Sequence, residues 1–369
     1  MIFCNECFKD AQIRSIIEGY DKKNTSKRGT CPTCKKKNVF LYDTDTDSSL
    51  IDIFNELILI YTPREQLHEL YPLSEIHMLA DELKTQWNIF SDSIDTRAIY
   101  DIITSLSPDL YAESPELFDQ PVGVPEKYDQ TYLKEHSILC GNTWDDFVES
   151  IKHKNRFHTQ MINTAKLSTY LSYLRKDYNK GAILYRGRLC YEDVGFKTNE
   201  MGAPPCKYAR EGRANSTGIS RLYLADNAET CIHEIRAGAF DVISIGKFKL
   251  QENISVVDLK QINRFSPFNG EFDFLEYLLN KPILQKIDEE MGRAVRSSDN
   301  HLDYIPTQYL CDFIKTLDCE QDKKYSGVEY TSTLNSSGYN LAVFYPKLFK
   351  CTSVSTYVIN SIKYTHEKT

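Results

Sequence analysis

Two CxxC pairs, Cys4-x2-Cys7 and Cys31-x2-Cys34, are the most specific short-range signal in this 369-residue chain. Each pair can grip a metal ion from a tight turn. Four thiolates complete a tetrahedron around Zn2+ and leave no position open for water, so the expected role is structural and not catalytic. The 23 residues between the pairs suit a zinc ribbon or treble clef. So small a segment buries too little apolar surface to fold without such a staple.

A second set of chemistry-bearing residues begins at Tyr185. Tyr185–Arg186–Gly187–Arg188 follows an apolar run, and Pro204–Pro205, Arg210 and Arg213–Ala214–Asn215 come next. Then follow Leu222–Tyr223–Leu224–Ala225, the stretch from Cys231 through His233 and Glu234 to Arg236, and farther on Tyr304, Gln308, Glu329–Tyr330–Thr331–Ser332 and Asn340. Hydrophobic packing requires none of these polar groups. Taken singly, each has an ordinary explanation: Arg186 and Arg213 as surface ion-pair partners, Glu234 as a solvent-facing helix residue, Tyr223 as strand core, Ser332 as a turn hydroxyl. Their order along the chain is what argues for a site. His233 neighbours Glu234 but points to a different helix face, and it is left out of the set.

This succession resembles the RES family, named for an Arg, a Glu and a Ser spread through its domain. The matching positions are Arg186 in the Tyr–Arg pair, Arg213 before Asn215, Tyr223 in the Leu–Tyr–Leu–Ala stretch, Glu234 and Ser332, and the likeness runs from about Ala182 to Tyr345. Ala214 stands where many members carry an aromatic residue and Thr331 where many carry Pro, which marks a divergent subfamily. The resemblance implies an ADP-ribosyltransferase-like domain that degrades NAD+, by phosphorolysis in some members and by hydrolysis in others. Arg186 and Arg213 would fork onto the pyrophosphate, with Asn215 also on the substrate and Tyr223 stacking or touching ribose. Glu234 would stabilise the oxocarbenium-like ribose left by the departing nicotinamide, and Ser332 would hydrogen-bond that ribose. NAD+ is then a substrate, with inorganic phosphate or water attacking. Transfer of ADP-ribose to a macromolecule is the alternative, and a non-catalytic interaction protein a weaker one. RES proteins are commonly toxins held by an antitoxin, so a cognate inhibitor, or self-inhibition by the N-terminal regions, is implied. The stretch with Trp144, Arg156 and Phe157 is similar to the HEPN-like segment ahead of some RES domains. The Arg–His motif of HEPN ribonucleases is absent: Arg64/His68 and Arg156/His158 are too closely spaced, and Arg296/His301 spans a turn-like Ser297–Asn300.

Three regions must position these groups. Residues 1–42 form the Cys4 knuckle, and Asp43–Thr44–Asp45–Thr46–Asp47 reads as a linker. A helical region covers 48–178, in which Ser48/Ser49 can cap a helix carrying Leu50, Ile51, Phe54, Leu57 and Ile58 at helical spacing. Thr62–Pro63–Arg64–Glu65 has the form of a capping box. Further helices are expected over Glu75–Phe90, Thr96–Leu106, Thr143–Lys154 and Thr164–Tyr178, with an exposed loop at Ser107–Gln130. Residues 182–360 mix strands at Ile183–Arg186, Leu222–Leu224, Val242–Leu250, Ser255–Leu259, Val328–Thr331 and Leu341–Tyr345 with helices at Ala228–Ala237, Phe272–Ile287 and Pro306–Leu317. The last two strands flank a turn at Asn335–Gly338, and the fold class is α+β.

Composition sets the outer bounds. The chain is long enough for two or three cores. No apolar run approaches the ~20 residues of a membrane span, and the N-terminus lacks the pattern of a signal peptide. Seven cysteines beyond the two pairs are scattered singly among eleven, the usage of reduced thiols in a cytoplasmic setting. The net charge of −8 is uneven: residues 1–42 hold nine Lys/Arg against four Asp/Glu. General nucleic-acid binding is disfavoured, and only the knuckle, with Lys22, Lys23, Lys27, Arg28 and Lys35–Lys37, offers a basic face. No aromatic residues interleave with those lysines as a base-stacking platform requires. Oligomerisation is left open by the sequence.

Overall fold

Along Val242–Leu250, Phe248 and Leu250 are buried while Lys247 and Lys249 face outward, the alternation of a strand with one face on a core. The computed structural model describes residues 1–19, 28–191, 194–270, 272–293, 301–320, 323–335 and 337–362, apart from the side chains of 263 and 264. The chain divides into two units, one of Met1–Ser137 with Arg264–Lys281, the other of Ile138–Asn263 with Pro282–Thr369. Both helix and sheet are present, and among the described residues no helix is long and apolar enough to cross a membrane.

The second unit is built on an eight-stranded sheet. We number its strands in chain order: β1 Arg175–Tyr178, β2 Ile183–Leu189, β3 Leu222–Ala225, β4 Val242–Leu250, β5 Ile254–Asp258, β6 Gly327–Thr331, β7 Tyr339–Val343 and β8 Phe349–Val358. Their spatial order is β8-β4-β2-β3-β7-β6-β5-β1, antiparallel throughout except for the parallel pair β5–β6. Leu184, Leu222, Leu224, Phe248, Val256 and Leu341 fill the core on one face. At the β1 side a buried ionic cluster ties strands together. The fully buried Glu329 of β6 accepts hydrogen bonds from Lys176 at 2.8 and 3.0 Å, from Lys260 and from the Tyr178 hydroxyl. Two ammonium groups and a phenol satisfy the carboxylate that burial would otherwise penalise.

The first unit packs the cysteine-rich segment and the early helices around one aromatic core. Phe3 stacks on Tyr42 with centroids 5.0 Å apart, Trp87 stacks on Tyr277 at 5.6 Å, and the Trp87 indole donates to the Tyr61 hydroxyl at 2.7 Å. Ile2–Cys4, Val39–Asp43 and Arg28–Gly29 form a small antiparallel sheet. The helix Ala11–Glu18, capped by the Asp10 carboxylate, lies between the two cysteine pairs in sequence.

Several expectations shift. Residues 138–178 group with the sheet, not with the earlier helices, because Arg175–Tyr178 is strand β1 and pairs with β5; the expected helix stops at Tyr173. Trp144, Arg156 and Phe157 therefore lie in the second unit, and 264–281 in the first. Thr62–Pro63 is a short strand followed by the 3-10 turn Arg64–Gln66, with no side-chain cap. Glu75–Phe90 shortens to the helix Leu79–Thr85, and Ser107–Gln130 folds into helices Pro108–Glu113 and Glu116–Asp119 with a strand at Pro121–Gly123. The helix Ile51–Ile58 has no hydroxyl cap from Ser48 or Ser49. Lys22, Lys23, Lys27, Arg296 and Ser336 lie outside the described residues.

Gly327 shows how tightly β6 and β7 fit: a Cβ there would stand 2.6 Å from the Ala342 carbonyl oxygen. Backbone cannot yield as a flexible side chain can, so Gly327→Ala is expected to cost about 1–3 kcal/mol, read as a lower denaturation midpoint for the second unit.

Candidate functional site

The four cysteines of the two pairs come together. Cys4, Cys7 and Cys31 are buried and Cys34 partly so, with all four Sγ atoms within 4.8 Å of one another. Cys4 lies 3.7 Å from Cys7 and 3.4 Å from Cys34, and Cys7 lies 3.8 Å from Cys31. A tetrahedron with metal–sulfur bonds of about 2.3 Å has edges of roughly 3.8 Å, so the cage is the right size for a metal ion. Crowded thiols cannot all ionise. The hydrogen bond from Cys7 pulls Cys4 down to about 5, whereas that same pairing and burial push Cys7 up, and burial pushes Cys34 up to about 11.

In the second unit a cavity of about 350 Å3 gathers Arg186, Arg213, Tyr223, Glu234, Arg236, Arg293 and Tyr330 from separate segments. Strand β2 delivers Arg186, whose Nη1 is shut off from solvent and has no hydrogen-bond partner. Burial, then repulsion from Arg188, lowers its pKa to about 10. Arg213 is also buried. Its Nη1 donates to the Glu290 carbonyl at 3.0 Å, its guanidinium stands 5.4 Å from the Tyr304 ring centroid, and burial lowers its pKa.

Glu234 is the last residue of the helix Ala228–Glu234, whose first turn is capped by Asn227. That helix approaches β2 over Gly187, where a Cβ would meet Ile235 at 3.2 Å and Cys231 at 3.3 Å. The Ser332 hydroxyl and the Asn340 amide each donate to Oε1 of Glu234 at 2.7 Å. One carboxylate oxygen is thus fixed by two neutral donors from the ends of β6 and β7. Beyond the helix, Arg236 sits at φ 52°, the left-handed region that a side chain rarely adopts, and its residue lines the cavity wall.

The remaining sequence-derived positions have supporting geometry. Ser332 is buried and is not part of the cavity lining, so its hydroxyl meets Glu234 and not the space in which the expected ribose contact would lie. Asn215 uses its amide to close its own loop: Nδ2 donates to the carbonyls of Arg210 and Ser216, and Oδ1 accepts from the Tyr223 hydroxyl at 2.6 Å. Tyr223 in turn accepts from Ala214 N–H, and Gln308 donates to the Gly212 and Asn215 carbonyls, which holds Arg213 in place. His233 does not line the cavity. Sequence reasoning missed the hold of Asn340 on Glu234 and the contributions of Arg236 and Arg293. The spacing of Asn340 opposite Tyr330 in the β6–β7 pair is a signal visible only once the strands are registered. A second cavity of about 440 Å3 shares Arg186, Tyr223 and Ile235 with the first. Four guanidinium groups beside one oriented carboxylate make the first cavity fit for a polyanion carrying a centre that becomes positive.

No curated protein and no solved structure matches the chain significantly. The family described as RES domain does match, over residues 191–361. That span holds Arg213, Tyr223, Glu234 and Ser332, while Arg186 on β2 lies just before it. Residues 191–361 are therefore similar to the RES domain, and strands β3 to β8 of the second unit lie within that span.

Proposed function

We propose that the second unit, as an ADP-ribosyltransferase-like catalytic domain, cleaves the nicotinamide–ribose bond of NAD+. The observation that carries this reading is the Glu234 carboxylate, oriented by Ser332 and Asn340 at 2.7 Å in a cavity whose other charged lining residues are all arginines. Arg186 and Arg213 take the pyrophosphate, whose two charges relieve the burial of the unpartnered Arg186. The nicotinamide nitrogen leaves with the electron pair of the broken C–N bond and becomes neutral, so no strong acid is needed. The positive ribose that remains faces Glu234, and phosphate or water then bonds to its anomeric carbon, water giving up a proton. Ser332 and Asn340 keep the carboxylate in place before the charge develops, so no reorganisation is needed at the moment of bond breaking. Release of ADP-ribose onto a macromolecule would use the same site.

An activity that drains NAD+ calls for restraint in its host, so the chain acts as a toxin or defence effector held by an inhibitor protein or by its own N-terminal regions in the cytoplasm. The Cys4 cage holds a structural Zn2+ that staples the small sheet. The stretch around Trp144 is a HEPN-like scaffold without nuclease chemistry.

The full-length protein incubated with NAD+ is expected to release nicotinamide, followed chromatographically with and without phosphate; intact NAD+ under all phosphate concentrations defeats the proposal. Glu234→Gln removes the charge and keeps the shape, so kcat should fall about 100- to 1,000-fold with little change in KM. Arg213→Ala removes a contact made before and during bond breaking, so KM should rise more than kcat falls. The reverse pattern in steady-state kinetics would reassign both residues. Elemental analysis of protein purified without chelator should give one zinc per chain, and Cys31→Ser should lose it with the fold of the small sheet.

A further inference from the structure

The second cavity contains more positive charge than a pyrophosphate needs. Arg186, Arg188, Arg210 and Arg221 line it, and among the described residues no Asp or Glu does. Arg221 is satisfied within the fold, by the Asp312 carboxylate at 3.1 Å and by the carbonyls of Ala214 and Phe344. Arg188 is not. Its Nη2 donates to the Gly202 carbonyl at 2.7 Å, but its Nε is buried with no hydrogen-bond partner, and burial lowers its pKa. Glu200 acts on it only at a distance and spends an oxygen on the Lys197 N–H. Arg186 and Arg188 stand two apart on β2, so both side chains leave the same face, with Cα atoms about 6.7 Å apart at a strand's rise. Arg210 is exposed at the rim.

Two buried guanidinium N–H groups without acceptors, side by side on one strand, form a receptor for two anionic groups in one ligand. Aromatic rings complete the cavity: Phe196 lies 5.4 Å under the Arg188 guanidinium, and Tyr191 and Tyr208 are largely exposed. Exposed rings beside cations suit a nucleobase, which stacks on one and brings phosphates to the other. In doubly wound dinucleotide-binding folds a carboxylate meets the free 2′-hydroxyl and an arginine accommodates a 2′-phosphate, a pairing that rests on charge and not on the fold. Resting on the NAD+-cleavage reading for the first cavity, we infer that the second cavity takes the adenosine end of the dinucleotide and that Arg188, with Arg210, binds a 2′-phosphate, so that the phosphorylated dinucleotide NADP+ is a substrate at least as good as NAD+.

The test compares kcat/KM for NADP+ and NAD+ in the full-length protein and in Arg188→Ala, Arg188→Lys and Arg210→Ala, alongside calorimetric binding of adenosine 2′,5′-bisphosphate and 5′-AMP. The expected ratio of NADP+ to NAD+ is one or more in the unaltered protein. It falls tenfold or more in Arg188→Ala, less in Arg210→Ala, and is largely kept in Arg188→Lys. A tenfold or greater preference for NAD+ in the unaltered protein, or equal losses for both dinucleotides in Arg188→Ala with the fold intact by circular dichroism, overturns the inference. Arg210 lies at the surface, so its variant keeps the test open if Arg188→Ala does not fold. Free phosphate could instead be the anion at Arg188; then phosphate would speed NAD+ cleavage, Arg188→Ala would abolish that dependence, and the 2′-phosphate assignment would fall. Should neither dinucleotide be cleaved, tighter binding of the bisphosphate than of 5′-AMP, lost in Arg188→Ala, would uphold the subsite while the cleavage reading fails. Equal binding would remove both.

Discussion

A guanidinium nitrogen held away from water with nothing to bond is the constraint on which the second unit depends. Arg186 projects from β2, and one of its nitrogens finds neither solvent nor acceptor. An isolated folding problem would not keep such a group, because an unsatisfied buried polar atom costs about 1–3 kcal/mol and more when charged. The surrounding architecture holds it in place all the same. Gly187 lets the helix Ala228–Glu234 close over the strand, the Asn215–Tyr223–Gln308 network fixes the loop that carries Arg213, and the parallel β5–β6 pair is braced by the buried Glu329. In the proposed function a ligand supplies the missing acceptor.

The carboxylate obeys the opposite logic. Glu234 is the end residue of a seven-residue helix, where the helix dipole disfavours negative charge. Two neutral donors make up for this on one oxygen. Neutral donors orient a carboxylate without cancelling its charge, whereas an arginine bridged to it would do both. The site thus keeps its cations apart from its anion, the division that the proposed cleavage of a phosphate-bearing substrate would use.

Legibility in the sequence followed the range of the interactions. Thr96–Leu106 was readable because Asp95 caps it and Ile99, Ile102, Ile103 and Leu106 recur at helical spacing. Trp144–His153 was readable because Thr143 and Asp146 complete a capping box within four residues. Strand β8, Phe349–Val358, was not, since an edge strand with mostly exposed positions carries little apolar alternation. The short helices within Ser107–Gln130 were hidden by their prolines, which here start helices instead of breaking them. Arg186, Arg213 and Glu234 were legible as an ordered set. Asn340 and Arg236 stood out in that set too, but the hold of Asn340 on Glu234 depends on strand register and the placement of Arg236 on an unusual backbone angle, neither of which sequence shows.

The hold on Glu234 also has a consequence for biosynthesis. Its two donors follow it by 98 and 106 residues, and both arrive on strands that must pair before they can reach it. A ribosome that has released Arg186, Arg213 and Glu234 has therefore released charged groups but not an oriented carboxylate. The Glu234 carboxylate stays without these two donors until β6 and β7 have emerged and paired. A translation product that stops before Ser332 lacks both of the donors that hold Glu234.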